Sequence, residues 1–345
     1  MKTLFKIKLL KTPLFQSRYC LLLLLVALWL PSNAQALTCK VDSFVSPNFE
    51  PITLANANNA SVEQTLTYSC TNTSDVIEWA SVCIDVDGGT NKPSQVNPRQ
   101  MIGLNNSELK LNFNMTLSGM SNATWGKRDV GGTEFIDFFS VAPGITTPTI
   151  KETIIKTSLL SNTAPTADDY TATFTAGNTA LTYVTVDSNI DTQQCLSESQ
   201  NTAPFPFTVQ AKVIPSCIIN SASDIDLGSK PANLINIKGN SAINVTCTNN
   251  ATYHIGLSPS NGNEDGAGVM TKNLGDSNGV PYQLRSTSGD GGMIWGNTAT
   301  SEDVGNGVKG KGSGAPENHN VYVTVPSLDF EPGNYSDTVT INVNY

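Results

Sequence analysis

The side chains of this chain that could do chemistry are few: two histidines, seven cysteines and 29 carboxylates in 345 residues. His254 lies inside the alternating run Thr252-Tyr-His-Ile-Gly-Leu257, and His319 lies in a polar turn ahead of a strand. Neither accompanies a nucleophile elbow, an HExxH pattern or a phosphate-cradling loop, the settings in which a histidine or its neighbours have a reaction to run. The glycine-rich stretch Gly305–Gly314 lacks both a P-loop lysine context and a following helix, so it reads as a loop. A carboxylate pair for glycoside hydrolysis leaves no signature at this level, and that possibility stays open. The expectation is a protein that is not an enzyme and holds no cofactor.

The cysteines point to cross-linking. The close-set CxxC pairs of a zinc site are missing, so no metal is expected. Cys20 belongs to a leader. Lys2, Lys6, Lys8, Lys11 and Arg18 form a basic region, Leu21 to Leu30 an apolar one, and Ala34-Gln35-Ala36 a small-x-small cleavage site. The apolar run is too short to span a bilayer, so residues 1–36 read as a secretory signal peptide. Six cysteines remain in an exported chain, an even number that reads as disulfides, although six allow fifteen pairings.

Without the leader's five basic residues, 15 basic side chains face 29 acidic ones, a net charge of −14. Neither nucleic acid nor an anionic membrane surface suits that balance. Thr, Ser, Asn, Val and Gly are abundant and helical periodicity is almost absent, which is an all-β composition. The length suits two domains.

Those two domains are copies. Cys39 and Cys70 are 31 positions apart, and Cys217 and Cys247 are 30 apart. The second cysteines share a phrase, Tyr68-Ser-Cys-Thr-Asn72 and Val245-Thr-Cys-Thr-Asn249. Leu111–Leu117 precedes Trp125-Gly126 as Pro281–Arg285 precedes Trp295-Gly296. Ile154–Leu160 then corresponds to Val321–Leu328, and Ala164–Thr173 to Glu331–Thr338. Landmarks in one order indicate a duplication of β-sandwiches of immunoglobulin-like size. The repeat pairs Cys39 with Cys70 and Cys217 with Cys247. Cys83 and Cys195 have no counterparts and most simply bond each other.

The phrase Cys-Thr-Asn, the stretch from Met270 to Trp295-Gly296 and the ending Pro332-Gly-Asn-Tyr-Ser-Asp-Thr-Val-Thr-Ile-Asn-Val-Asn-Tyr345 resemble the spore coat protein U family. That family includes the pilins of archaic, Csu-type chaperone–usher pili. The resemblance is clear over 217–345 and weaker over 37–200. It implies an incomplete immunoglobulin-like fold lacking its last strand. A periplasmic pilus chaperone fills the gap first, and the N-terminal extension of the adjacent pilin subunit replaces it after transfer through an outer-membrane usher.

The alternating stretch Asp337–Tyr345 ends the sequence with a half-buried strand and nothing after it to cover the apolar side, so the second copy is expected to lack a strand. Val339, Ile341, Val343 and Tyr345 would line a vacant groove, with Ile218, Ile225 and Leu227 as neighbours. Only Leu37 and Thr38 precede Cys39, roughly 7 Å of extended chain, too short for a donor strand. The subunit is therefore expected to accept a strand without donating one, which places it at a pilus tip. A donor-like segment exists internally: Phe205, Phe207, Val209, Ala211 and Val213 alternate with polar residues just before Cys217. It would complete the first domain intramolecularly; the alternative is a linker strand that pairs with nothing.

The expected layout is a signal peptide (1–36), an adhesive domain (37–203), an internal donor-like strand and linker (204–214) and a pilin domain (215–345). In the first domain Glu134–Ile145 is rich in large apolar residues where the second copy is polar. As a loop, Phe135, Ile136, Phe138, Phe139 and Val141 would form an adhesive surface; as a strand, half would face the core. Trp79, Met101, Ile102 and Met120 are further candidates, each as readily core. The expected function is a tip adhesin, exported through the periplasm to the cell surface, that attaches to a surface or host receptor and supports biofilm formation. The alternative is a secreted coat, matrix or carbohydrate-binding β-sandwich that folds alone.

Overall fold

The computed structural model describes residues 36–160, 162–186, 193–196, 201–273 and 278–345, so the leader and its cleavage motif lie outside the described residues except for Ala36. Period-two alternation governs the fold. In Lys110–Leu117, Leu111, Phe113, Met115 and Leu117 are all fully buried while their neighbours face outward. The same pattern, repeated along the chain, gives twenty strands among the described residues.

The first unit holds β1 (Leu37–Phe44), β2 (Asn48–Ile52), β3 (Ser61–Asn72), β4 (Glu78–Val86), β5 (Arg99–Gly103) and β6 (Lys110–Leu117). It continues with β7 (Phe135–Val141), β8 (Gly144–Leu159), β9 (Asp168–Phe174), β10 (Thr179–Val186), β11 (Asn201–Ala203) and β12 (Phe207–Val213). An eight-stranded sheet in the order β1-β3-β8-β6-β5-β9-β12-β2 packs on a four-stranded one, β11-β10-β4-β7. One core from Leu37 to Val213 lies between them.

The second unit holds β13 (Cys217–Ala222), β14 (Ile235–Cys247), β15 (Thr252–Pro259), β16 (Ala267–Met270), β17 (Val280–Arg285), β18 (Val308–Lys311), β19 (Pro316–Ser327) and β20 (Val339–Asn344). Its sheets are β13-β14-β19-β17-β16 and β18-β15-β20, around a separate core. The protein is thus all-β, two sandwiches in series.

Hydrogen bonds show that the sandwiches are copies down to single atoms. The buried indoles of Trp125 and Trp295 donate from Nε1 to the carbonyls of Ile84 and Ile255, at 2.9 and 2.7 Å. Their backbone amides donate to Met115 and Leu284. The hydroxyls of Tyr170 and Tyr335 each donate to a carbonyl four residues upstream, Thr166 and Glu331, both at 2.8 Å. The copies are not identical. Where β16 has Gly268, β5 has Arg99, fully buried, its guanidinium donating to the carbonyls of Asp87, Val96 and Trp125.

Disulfides join Cys39 to Cys70, Cys217 to Cys247 and Cys83 to Cys195. The first two link directly opposed residues of neighbouring strands, β1 with β3 and β13 with β14. The third ties β4 to the short turn Gln194–Leu196 that leads into β11. The sandwiches meet through polar contacts. Leu54 N donates to Ser216 Oγ at 3.0 Å, and Asn249 N and Nδ2 donate to Pro165 O and Thr166 Oγ1. At this junction Gly314 has φ of +72°, and a Cβ there would lie 2.3 Å from that of Ala164, so only glycine fits.

Phe135–Val141 is a strand, and its period-two facing divides the apolar residues. Phe139 and Val141 belong to the core and Phe135 packs against it, whereas Phe138 turns outward and stacks on Trp79 at 5.0 Å. An adhesive loop made of all five residues is therefore corrected to an edge strand with Ile136 and Phe138 on its outer face. Met101 is core, Ile102 is half-buried, and Met120 is exposed. Phe139→Ser should cost about 3–5 kcal/mol of stability, as large-to-small core changes do, and Phe138→Ser well under half of that. Thermal unfolding of the two variants checks it.

Asp85, on β4, is buried, and its Oδ1 has no hydrogen-bond partner. Burial, with Glu134, Asp129 and Asp87 nearby and Lys127 opposing, raises its pKa from the ordinary 3.8 to about 7. The folded state holds this proton where the unfolded chain has released it. The associated stability is full below the ordinary value and is lost as pH rises through about 7. Asp85→Asn should accordingly raise the melting temperature of the first domain by several degrees at pH 8 and by nothing at pH 4. Calorimetry at the two pH values tests this.

Candidate functional site

The second sandwich contains a cleft of about 560 Å³ between its two sheets. One wall is β20, which pairs with β15 and, among the described residues, has no strand on its other side. The opposite wall is the extended run Ala222–Leu227 that follows β13. Ile243, Leu284, Val321 and Val323 line the floor, and Ile225, Leu227, Val339 and Ile341 project from the walls. Those four wall residues pack on the core yet remain only half-buried.

Of the residues expected along the groove, Ile225, Leu227, Val339 and Ile341 are brought together. Val343 shares their face of β20 and packs on the core beyond the cleft. Ile218 and Tyr345 are 41% and 49% exposed and do not line it: Ile218 lies on the edge strand β13, and Tyr345 lies past the end of β20. They are corrected out of the groove.

The first sandwich has the same two walls, and the space between them is filled. β9, which carries the hydroxyl-bonded Tyr170, and β2, which follows β1, flank β12. β12 runs antiparallel to β9, with Phe207 opposite Phe174, Val209 opposite Ala172 and Ala211 opposite Tyr170. It runs parallel to β2 on its other edge, Ala211 opposite Phe49 and Val213 opposite Ile52. Upstream, β11 pairs with β10 in the second sheet, so residues 201–213 follow the β9–β10 path along its length. Phe205, Phe207, Val209, Ala211 and Val213 are all buried in the first core. Phe207 stacks on Phe174 at 4.4 Å, and Phe205 on Trp125 at 6.2 Å.

Residues 203–342 match the model of the Spore Coat Protein U domain. The second sandwich, up to Asn342 in β20, lies within that match. The matched range begins at Ala203, so β12 belongs in sequence to the Spore Coat Protein U unit, while in space it completes the sandwich before it. No curated protein matches the chain. Among solved structures it is similar to the CsuC–CsuE chaperone–tip adhesion subunit pre-assembly complex from archaic chaperone–usher Csu pili of Acinetobacter baumannii. That similarity has 17% identity and a TM-score of 0.49, over 89% of this chain and 100% of that one. It is also similar to the CupB6 tip adhesin from Pseudomonas aeruginosa, with 8% identity and a TM-score of 0.32 over 89% of this chain and 94% of that one. A third is CfaE, the adhesive subunit of CFA/I fimbria of enterotoxigenic Escherichia coli, with 9% identity and a TM-score of 0.32 over 87% and 91%.

The cleft of the second sandwich carries one polar pair that sequence reasoning missed. Tyr282 donates its hydroxyl to Asp337 Oδ2 at 2.6 Å, and both side chains line the cleft. Burial first, then that hydrogen bond, raises the Tyr282 pKa well above the ordinary tyrosine range. The partners are 55 positions apart, and only folding brings them together.

The two histidines are separate from the cleft. His254 on β15 is buried and bonds Thr300 O at 2.7 Å through Nδ1. His319 lies within β19 rather than in a turn, bonded to the Tyr253 hydroxyl at 2.8 Å. Burial lowers its pKa. Among the described residues no cluster of His, Cys, Asp or Glu could hold a metal, and no helix is long and apolar enough to cross a membrane.

Proposed function

We propose that this protein is the tip adhesin subunit of an archaic chaperone–usher pilus, mediating attachment to surfaces and biofilm formation. The observation that carries the reading is the pair of equivalent grooves, one occupied by β12 and one open. An alternating strand laid into the open groove would pair with the free edge of β20 and cover Ile225, Leu227, Val339 and Ile341. At about 1.5–3 kcal/mol per fully buried side chain, that burial would oppose release.

On this reading a periplasmic chaperone supplies that strand first and an adjacent pilin subunit replaces it, with an outer-membrane usher exporting the assembly. The first domain, already completed by β12, carries the adhesive surface and is exposed at the cell surface. Immunogold labelling with antibody against the first domain tests the placement. Gold confined to fibre ends supports it; gold along the shafts, or protein released without fibres, overturns it.

A further inference from the structure

Resting on the reading of the cleft as a strand acceptor, we infer that Asp337 and Tyr282 select the incoming strand, requiring a hydrogen-bond-donating side chain at one defined position. The register comes from the filled groove. Tyr170 and Tyr335 share the same hydroxyl bond, and the contacts beside them agree, Ile102 opposite Thr171 and Thr271 opposite Ser336. Counting along the strands from these points places Asp337 where the first domain has Ala172, and Val339 where it has Phe174. Counting back from Met115 and Leu284, which accept the tryptophan amides, places Tyr282 where it has Phe113.

The first domain therefore has Phe113 and Ala172, both buried and apolar, at the place where the second has a hydrogen-bonded tyrosine and carboxylate. Val209 lies opposite Ala172. The corresponding residue of an incoming strand lies opposite Asp337, two positions after the residue opposite Val339.

Asp337 accepts from Tyr282 through Oδ2 and from the Thr338 amide through Oδ1. A carboxylate has about four acceptor directions, so capacity remains on both oxygens. A valine there would strip water from the carboxylate and return nothing, whereas threonine, serine, asparagine or lysine would donate to it. The groove thus accepts strands that are apolar at the flanking inward positions and polar at this one, and it disfavours the chain's own β12 sequence.

The test uses the full chain with a copy of Phe205–Ile214 fused after Tyr345 through a flexible linker, either unchanged or carrying Val209→Thr within the copy. An antiparallel partner of β20 is reached by a simple turn, so the fusion geometry is natural. The threonine copy should raise the melting temperature of the second domain several degrees more than the valine copy. In a Tyr282→Phe, Asp337→Ala background, which recreates the first domain's pair, the order should reverse. Equal or valine-favoured stabilisation in the native background overturns the inference while leaving the acceptor reading intact. If the double variant does not fold, that native comparison alone decides. No stabilisation by either copy in any background would instead overturn the acceptor reading itself.

Discussion

Val209→Asp should leave the first domain unfolded while the second keeps its own transition. Val209 is fully buried at the middle of β12, between β9 and β2, and faces the core shared by both sheets. A carboxylate there has no partner, and burying an unpaired charge costs several kcal/mol even after relaxation. A domain of this kind is stable by only about 5–15 kcal/mol. The substitution also works against Phe205, Phe207, Ala211 and Val213, which occupy the core only while the strand stays in its groove. Calorimetry with limited proteolysis should show loss of one transition and digestion confined to residues 37–213. Two unchanged transitions would show that β12 is not needed to complete the first fold. Val209→Thr, of similar volume, should lower the transition without removing it.

The second large effect is a gain. A strand supplied to the open cleft should raise the melting temperature of the second domain by roughly 10 °C. Four side chains of the wall pass from half-buried to buried, and the strand adds its own inward residues and its bonds to β20. Ordering that strand costs about 1–2 kcal/mol per residue, so most of the gross gain is offset and a few kcal/mol remain. About 1 kcal/mol corresponds to some 4 °C in a domain of this size. Ile341→Asp, placed on the wall without removing a fully buried side chain, should abolish the gain while the unfilled domain loses little. A domain equally stable with and without a supplied strand would mean that the cleft is an ordinary surface feature.

How much of the molecule was legible in the sequence depends on the range of the signal. The all-β class and the duplication are local patterns repeated in order, carried by alternation, by the cysteine spacings and by the two Trp-Gly pairs. The inward face of Phe205–Val213 was legible for the same reason. Facing in the stretch Phe135–Val141 was not, because Phe138 and Phe139 are adjacent and break the alternation. Only pairing with β4 shows which ring enters the core. Ile218 failed differently: an apolar residue beside a cysteine looks internal, but β13 is an edge strand and its side chain lies outside. The Tyr282–Asp337 pair has no local signal, since each residue is ordinary on its own strand. Asp85 sits in a continuously buried stretch of β4 and Arg99 opens the short β5, and neither the unmet acceptor of one nor the three carbonyls around the other is visible before folding.

The route by which β12 enters the second domain has a mechanical consequence. Only Ile214, Pro215 and Ser216 separate the end of β12 at Val213 from the start of β13 at Cys217, so tension between the domains is delivered to the C-terminal end of β12. Loaded that way, its rungs to β9 and β2 are strained in shear and share the force, instead of peeling open one after another. Should the strand begin to slide, the Cys83–Cys195 bond anchors the chain just upstream of β11 and limits how far it can travel. A fastening that tightens as a stretched line and stops at a covalent catch is suited to a molecule that is pulled on.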